Sequence, residues 1–334
     1  SVLVKTIEQA LRYDLENPNK SNRLQETLID ISKAIIGGDY LPISKKKNLE
    51  YNDVLIATEG SMNFFPYELI QVRFETDTTK FHYYGEFANI TYTPSLSAFS
   101  KLNQQKNNKV KNKSLLVSSN PNTGNTENYL DNLLTFRSNI GNIKYVDIEI
   151  DNIDKTLSKR KGIKKGFENT VLKSNKITEK NFKSLNLSQY KYIHIAAHGV
   201  HDIEKPQYSG LLLGRDEGDN EDGILQSHEI FPLKLNADLV TLSSCFSGFG
   251  EIDKIEGNLG IYRTFLIAGA KSVIISLWDV EDESTSILFT KFYELLKSGK
   301  SKSESLRLAK MYLKNGTRFD HPFYWAPFVL IGES

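Results

Sequence analysis

Cysteine is nearly absent from this sequence, since Cys245 is the one cysteine among 334 residues. A single thiol excludes an internal disulfide, so we expect the chain in a reducing cytoplasm. Long apolar runs are also missing: no stretch approaches about 18 apolar residues, and no basic segment followed by an apolar one opens the chain. We therefore expect neither a membrane-spanning segment nor a visible export signal. The first residue is Ser1 rather than methionine, which is consistent with a piece of a longer protein.

A strong charge imbalance is missing too, because the formal net charge is +1. This balance gives no general attraction to nucleic acid or to a membrane. The densest basic run, residues 158–165, has no interleaved aromatic residues, and we interpret it as a solvated loop. No phosphate-binding glycine motif opens any helix, which argues against the alternative of a nucleotide-binding α/β protein.

Segments whose apolar residues have helical spacing alternate along the chain with segments of strand-like spacing. Two helices are predicted within residues 1–36. Strands are predicted at 53–58, 81–84, 90–92, 114–118, 191–200, 210–214, 239–245, 271–278 and 328–331. Helices are predicted at 95–100, 127–139, 167–185, 257–268, 282–296 and 301–313. This alternation predicts the α/β class, with a mainly parallel sheet covered by helices on both faces.

Chemistry-bearing residues end two of the predicted strands. The run Leu239-Val-Thr-Leu-Ser-Ser-Cys245 is β-branched and apolar before its cysteine, and a glycine turn follows at Gly248. A lone cysteine is often a small core residue. The position of Cys245 at the strand end, beside serines, favours catalysis instead, because active sites collect at the carboxyl ends of parallel strands.

The second strand ends in His198-Gly199, and it would place an imidazole beside the thiol. His198 precedes Cys245 by 47 residues, which matches the caspase order and not that of papain-like enzymes or α/β-hydrolases. We predict that Cys245 attacks a peptide carbonyl and that His198 transfers the protons. The backbone N–H groups of Gly199 and Cys245 are predicted to stabilise the oxyanion.

Two metal interpretations are disfavoured by the spacing of the residues, and no cofactor is expected. A zinc site could be suggested by three histidines, His194, His198 and His201. However, no glutamate lies between them, and a strand does not bring residues at this spacing together as a helix does. We expect His194 to be a hydrogen-bonded core residue. The acidic turn at 215–223 does not match the calcium-loop spacing, so an exposed hairpin is expected there.

Further motifs extend across residues 50–332. They are Leu55-Ile-Ala-Thr-Glu-Gly-Ser-Met-Asn-Phe-Phe-Pro66, Tyr92-Thr-Pro94-Ser95, Ser118-Ser-Asn-Pro121, Ile193-His-Ile-Ala-Ala-His198-Gly199, Asp238-Leu-Val-Thr-Leu-Ser-Ser-Cys245, Ala268-Gly-Ala270, Ser276-Leu-Trp278-Asp-Val280 and His321-Pro-Phe-Tyr-Trp-Ala-Pro-Phe328. In this order the motifs resemble the CHAT family of caspase-like peptidases related to separase.

The resemblance implies a cysteine endopeptidase with His198 and Cys245 as its dyad. It implies a helical segment at 1–49, a remnant of helical repeats, then a pseudo-caspase half at 50–175 and a catalytic half at 176–334. It also implies a protein substrate, such as a gasdermin-like pore former in bacterial defence, and an activating partner or sensor module. Direct nucleic-acid or membrane partners are not expected.

This sequence departs from the family pattern after the cysteine, where Phe246-Ser247-Gly248 replaces Glu-Thr-Gly. By resemblance to separase, Asp279 and Asp282 are candidate acids for a basic P1 side chain, although Ser286 replaces one separase aspartate. Asp282 is alternatively a plain helix cap. The rival to the peptidase hypothesis is a catalytically silent scaffold of the same fold.

Overall fold

The computed structural model describes most of the chain, and none of the helices in that part is long and apolar enough to cross a membrane. The predicted helix at 127–139, nearly all of the basic run, and Cys245 lie outside the described residues. The described ranges are 2–17, 23–38, 41–43, 52–57, 65–74, 77–104, 112–120, 145–158, 166–173, 177–200, 205–216, 220–243 and 255–334.

Two amphipathic helices open the chain, as predicted: α1 (Val2–Glu16) and α2 (Arg23–Ile36). They pack against each other through apolar residues spaced three and four apart, which lie on one face of a helix. After α2 the chain turns at Gly37, whose φ of 72° is in the left-handed region that glycine adopts at little cost. The buried apolar residues are Ile7, Ala10, Leu11, Leu24, Leu28 and Ile31.

Strands and helices alternate along the rest of the chain. The strands of the first part are β1 (Leu41–Ile43), β2 (Asn52–Ala57), β3 (Gln71–Phe74), β4 (Asp77–Tyr83), β5 (Ala88–Thr93), β6 (Lys113–Ser118) and β7 (Glu168–Leu172). Its helices are α3 (Leu96–Gln104), α4 (Val146–Leu157) and α5 (Glu179–Ser184).

The second part continues the pattern. Its strands are β8 (Tyr192–Ala196), β9 (Gly199–Val200), β10 (Gly210–Leu212), β11 (Ile224–Gln226), β12 (Leu239–Leu242), β13 (Ser272–Ser276) and β14 (Phe328–Gly332). Its helices are α6 (Ser227–Ile230), α7 (Ile255–Ile267), α8 (Asp282–Ser298), α9 (Lys302–Gly316) and α10 (Pro322–Trp325).

The helix predicted across residues 167–185 is wrong in its first part, where β7 forms instead. Thr170 and Val171 are β-branched residues that suit a strand, and every residue of β7 pairs with β6 in parallel register. The helix begins only after Thr178, whose hydroxyl accepts a hydrogen bond from the N–H of Asn181 at 3.3 Å. The partner strand, which local spacing does not reveal, decided this outcome.

The starts of α8 and α9 differ in how they are capped. At α9 the Oγ of Ser301 accepts a hydrogen bond from the N–H of Glu304 at 3.1 Å. The cap prediction for α8 is wrong by one residue, because Glu281 occupies the cap position and Asp282 is the first helical residue. A carboxylate in this first turn is still favoured by the helix dipole.

The large sheet has eight strands in the order β2-β5-β14-β13-β12-β8-β6-β7. Its neighbouring pairs are parallel except β13 and β14, which are antiparallel. Three-stranded sheets of β1-β3-β4 and β9-β10-β11 accompany it. This architecture confirms the predicted α/β class with a mainly parallel sheet.

Strands from both sides of residue 175 share this one sheet. β6 and β7 extend it beyond β8, and β14 lies next to β5. The division into a pseudo-caspase half at 50–175 and a catalytic half at 176–334 therefore stays a prediction.

Candidate active site

β8 and β12 lie side by side at the centre of the sheet, and both are buried throughout. They are parallel, with Leu239 opposite Tyr192 and Leu242 opposite Ile195. The pairing continues past the strand end, since the N–H of Ser243 donates to the carbonyl of Ile195 at 2.9 Å. Because both strands point the same way, their carboxyl ends meet at one edge of the sheet, where α/β proteins place their ligands.

His198 follows β8 by two residues at this edge. Its carbonyl oxygen accepts a hydrogen bond from the N–H of Leu212 at 2.8 Å, and Gly199 pairs with Leu211 of β10. The small sheet therefore holds the backbone from the His198 carbonyl onward. The side chain is half-buried, and its Nε2 atom is shielded from solvent.

Cys245 follows β12 by three residues in the sequence and lies outside the described part of the chain. Its contact with His198, and its backbone N–H as an oxyanion donor, therefore stay predictions. The register of the preceding strands is clear, however: Leu242 lies opposite Ile195, and the thiol and the imidazole each come three residues further along the sequence.

Asp279 follows β13, the other neighbour of β12 in the sheet. Its Oδ1 atom is buried and has no hydrogen-bond partner among the residues that the structure describes. Burial raises the pKa of this carboxyl to about 6; the charge of Glu8 also raises it, and the charge of Arg12 acts in the opposite direction. A buried polar atom without a partner is uncommon in folded proteins and is a candidate functional group.

Helix α1 packs on α10 at the same edge of the sheet. Because β14 runs antiparallel to β13, the start of β14 and the preceding α10 lie at the carboxyl end of β13. The guanidinium of Arg12 lies 4.8 Å from the ring centre of Phe323, and Oδ2 of Asp14 lies 3.2 Å from Nε2 of His321. The indole N–H of Trp278 donates to the carbonyl of Phe323 at 3.0 Å. The N-terminal helix therefore covers one side of the region around Asp279.

His194 lies within a series of buried polar contacts between side chains. Its Nε2 lies 2.7 Å from Oε1 of Glu149, and its Nδ1 lies 3.3 Å from the hydroxyl of Tyr293. That hydroxyl lies 3.0 Å from Oγ1 of Thr241. The prediction of a hydrogen-bonded core histidine is confirmed. His201, the third histidine of the zinc interpretation, lies outside the described residues.

The acidic turn after β10 contributes to a cluster of three carboxylates around one ammonium group. Nζ of Lys183 lies 2.5 Å from Oε1 of Glu179, 2.8 Å from Oε2 of Glu221 and 2.5 Å from Oε1 of Glu229. Burial raises the pKa of Glu179 to about 8, against the lowering effect of the hydrogen bond from Lys183. Lys183 thus supplies the positive charge at the centre of this carboxylate cluster. The expected hairpin of β10 and β11 is confirmed.

Fold and site together define an α/β protein whose candidate site, around His198, lies at the carboxyl edge of a mainly parallel sheet. Residues 19–333 match the CHAT domain. The chain therefore belongs to the CHAT domain family, as its motifs predicted.

Similar proteins differ widely in the share of each chain that matches. Tetratricopeptide repeat protein 28 of Mus musculus is 34% identical over 110 residues, which is 33% of this chain and only 4% of that protein. The separase of the Saccharomyces cerevisiae separase–securin complex is 15% identical, with a TM-score of 0.47 over 83% of this chain and 15% of its own. The Arg specific cysteine proteinase gingipain R of Porphyromonas gingivalis is 10% identical, with a TM-score of 0.47 over 98% of this chain and 73% of its own.

Proposed function

We propose that this CHAT-domain chain is a caspase-like cysteine endopeptidase with Cys245 as the nucleophile and His198 as the general base. The register of β8 and β12 carries the proposal, because the two side chains follow paired residues by the same three positions. Residues that follow neighbouring parallel strands at equal distance leave the sheet at the same edge.

In the proposed reaction His198 takes the thiol proton of Cys245, and the sulfur attacks the carbonyl carbon of the scissile peptide bond. The tetrahedral intermediate collapses as the C–N bond breaks, and the imidazolium gives its proton to the leaving amine. Water then loses a proton to His198 and attacks the thioester, which releases the acid and restores the thiol. A neighbouring imidazole raises the thiolate fraction of a cysteine whose free pKa is about 8.5.

The backbone N–H of Gly199 is the proposed oxyanion donor on the histidine side. His198 and Leu212 are joined by a ladder hydrogen bond, and residues of an antiparallel ladder alternate between bonded and non-bonded pairs. The next pair, Gly199 and Leu211, is then a non-bonded pair, so the N–H of Gly199 points away from β10. This orientation supports its role toward a substrate, together with the N–H of Cys245.

Asp279 is the proposed partner of a basic side chain at P1. Its buried Oδ1 atom lacks a partner among the described residues, and its carboxyl follows the strand next to β12. A cationic substrate group would supply the missing contact. Asp282 is the second proposed acid, but its place in the first turn of α8 also explains its charge.

The wider role follows the family resemblance. We propose a single protein target, such as a gasdermin-like pore former or another defence protein, and activation by a partner or sensor module. The single cysteine supports a reducing cytoplasm as the compartment.

A biotinylated peptidyl acyloxymethyl ketone with arginine at P1 tests the dyad. The thiolate displaces the acyloxy group, and mass spectrometry locates the thioether. We expect one adduct at Cys245, none in Cys245→Ala, and labelling slowed by about 10²-fold or more in His198→Ala. The control is His228→Ala, an exposed histidine whose Nδ1 lies 3.3 Å from the carbonyl of Gln207.

Profiling of cleaved protein termini, with wild type against Cys245→Ala and with neighbouring gene products present, would then identify the target. If the wild type forms no adduct and cleaves nothing under any activating condition, the silent scaffold replaces the peptidase.

A further inference from the structure

Four buried polar side chains form a continuous line across the two strands that lead to the candidate dyad. They belong to Glu149, His194, Tyr293 and Thr241, whose exposed fractions are 2%, 0%, 0% and 0%. Each comes from a different element: α4, β8, α8 and β12. A polar group in the core costs free energy unless it is hydrogen-bonded, so the completeness of this line matters.

Every contact in the line satisfies a donor and an acceptor. Burial raises the pKa of Tyr293 well above its ordinary value, so its hydroxyl keeps its proton and donates one hydrogen bond. This hydroxyl contacts Nδ1 of His194 at 3.3 Å and Oγ1 of Thr241 at 3.0 Å, donating to one and accepting from the other. The remaining ring nitrogen of His194 contacts Glu149 at 2.7 Å.

The line joins β8 and β12 at one level of the sheet. His194 and Thr241 lie directly opposite each other in the parallel register, and Tyr293 touches both side chains. His194 precedes His198 by four residues, and Thr241 precedes Cys245 by the same four. Phe289 packs edge-on against the His194 ring with centres 5.2 Å apart, which restricts its rotation.

Stability alone does not explain such a line. Well-packed apolar residues of similar volume often replace buried ionic or polar groups without loss of stability, whereas polar groups accept only a narrow range of positions. A hydrogen-bonded line therefore specifies where two strands lie relative to each other more sharply than apolar contacts do. Misplacement of about 1 Å in an active site can reduce a rate by about 10²-fold.

We propose that Tyr293, Thr241 and Glu149 act through His194 as positioning residues that set the separation of the His198 imidazole and the Cys245 thiol. Because Glu149 belongs to α4, a shift of that helix would also change the separation of the two groups. The inference rests on the proposed peptidase function.

A matched pair of variants at residue 241 tests the inference. If the line served stability alone, kinact would not depend on the hydroxyl; if it positions the dyad, the variant that keeps the hydroxyl should have the higher kinact even where it is less stable. Thr241→Val keeps the shape of the side chain and loses the hydroxyl, whereas Thr241→Ser keeps the hydroxyl and loses a buried methyl group. Tyr293→Phe removes the bridging hydroxyl. Tyr190→Phe is the control, since the Tyr190 hydroxyl donates to Oγ1 of Thr170 at 3.1 Å, and neither residue belongs to the line.

The readout is the inactivation rate constant (kinact) and the inhibition constant of the arginyl acyloxymethyl ketone, measured at one common temperature about 15 °C below the lowest Tm of the set, so that every protein is folded. We expect kinact to fall about tenfold or more in Thr241→Val and Tyr293→Phe, with an unchanged inhibition constant. Thr241→Ser and Tyr190→Phe should keep the wild-type kinact, even where Thr241→Ser melts below Thr241→Val.

Equal kinact values for Thr241→Val, Thr241→Ser and Tyr190→Phe, in a wild type that labels normally, would overturn this inference alone. A wild type that forms no adduct would overturn the proposed function and this inference together.

Discussion

The two edges of the central sheet carry different charges on the same three strands. Before β8, β12 and β13 come Lys191, Asp238 and Lys271. After the same strands come His198, Cys245 and Asp279. At the amino edge the carboxylate of Asp238 lies 2.9 Å from Nζ of Lys271 and 3.5 Å from Nζ of Lys191. At the carboxyl edge the Oδ1 atom of Asp279 has no hydrogen-bond partner among the described residues.

The two aspartates show what this difference means. For Asp238 burial acts to raise the pKa, but the hydrogen bond and charge of Lys271, with other lysines, lower it below its ordinary value. For Asp279 burial raises the pKa to about 6. The Asp238 carboxylate thus has its ion-pair partners at the amino edge, whereas at the carboxyl edge Oδ1 of Asp279 lacks a hydrogen-bond partner among the described residues. In parallel α/β sheets the amino edge commonly serves stability and the carboxyl edge ligands, and the proposed site of this chain lies at the carboxyl edge.

The two ends of β8 give the largest expected contrast. His198→Ala should lower kcat/KM for an arginyl peptide by about 10²–10⁴-fold, because the proposed general base is lost, with a change in unfolding free energy within about 0.5 kcal/mol. Lys191→Ala should leave kcat/KM unchanged and cost about 0.5 kcal/mol, since its ion pair is partly exposed. Peptide hydrolysis and urea unfolding measure both. A His198→Ala protein that cleaves normally would break the contrast.

Lys302 at the amino edge predicts a pH-dependent stability. Its Nζ lies 2.6 Å from Oγ of Ser272, and burial lowers its pKa from 10.5 to about 8. Between these values the unfolded chain binds more protons than the folded one, so this group makes the unfolding free energy rise with pH. The stability advantage of Lys302→Met over wild type should shrink by about 3 kcal/mol from pH 8 to pH 10.5. A constant difference across that window would show that the ammonium is not desolvated.

Asp238→Asn should destabilise the chain by about 2 kcal/mol at pH 7, because the partly buried ammonium groups around it lose their counter-charge. A lowered folded pKa means that the stabilisation is present above the unfolded pKa and is lost as the pH falls through the folded pKa. Urea unfolding should therefore show the wild type and variant converging at acid pH. Peptide hydrolysis by the folded variant should match the wild type.

Asp279→Asn should have the opposite effect on stability and the opposite pH dependence to Asp238→Asn. The folded pKa of Asp279 is raised, so its contribution to stability is complete below the unfolded value of 3.8 and is lost as the pH rises through about 6. At pH 8 the variant should be more stable than wild type by about 1 kcal/mol, discounted for partial exposure, while kcat/KM for an arginyl peptide falls about tenfold. Hydrolysis of the matching norleucine peptide is the control and should not fall. Equal losses on both peptides would contradict the proposed role of Asp279 in P1 specificity.

The elements around the site were predictable where local pattern and tertiary role agree. β8 and β12 are short apolar runs bounded by turn signals, and their buried, parallel pairing follows from that pattern. β7 was mispredicted because its edge position next to β6 depends on a distant partner. Glu149 was missed although a signal existed: it shares the buried face of α4 with Val146, Ile150 and Ile153, where an acid needs a buried partner.

The α/β class, the two strands that precede His198 and Cys245, and the membership in the CHAT domain family could be predicted from the residues alone, because apolar periodicity and short motifs are local properties of the chain. The order of the strands, the partners of His194 and the contrast between Asp238 and Asp279 became visible only in the folded chain. Those outcomes depend on burial and on contacts between residues far apart in the chain, and no local pattern encodes which distant group will neutralise a charge.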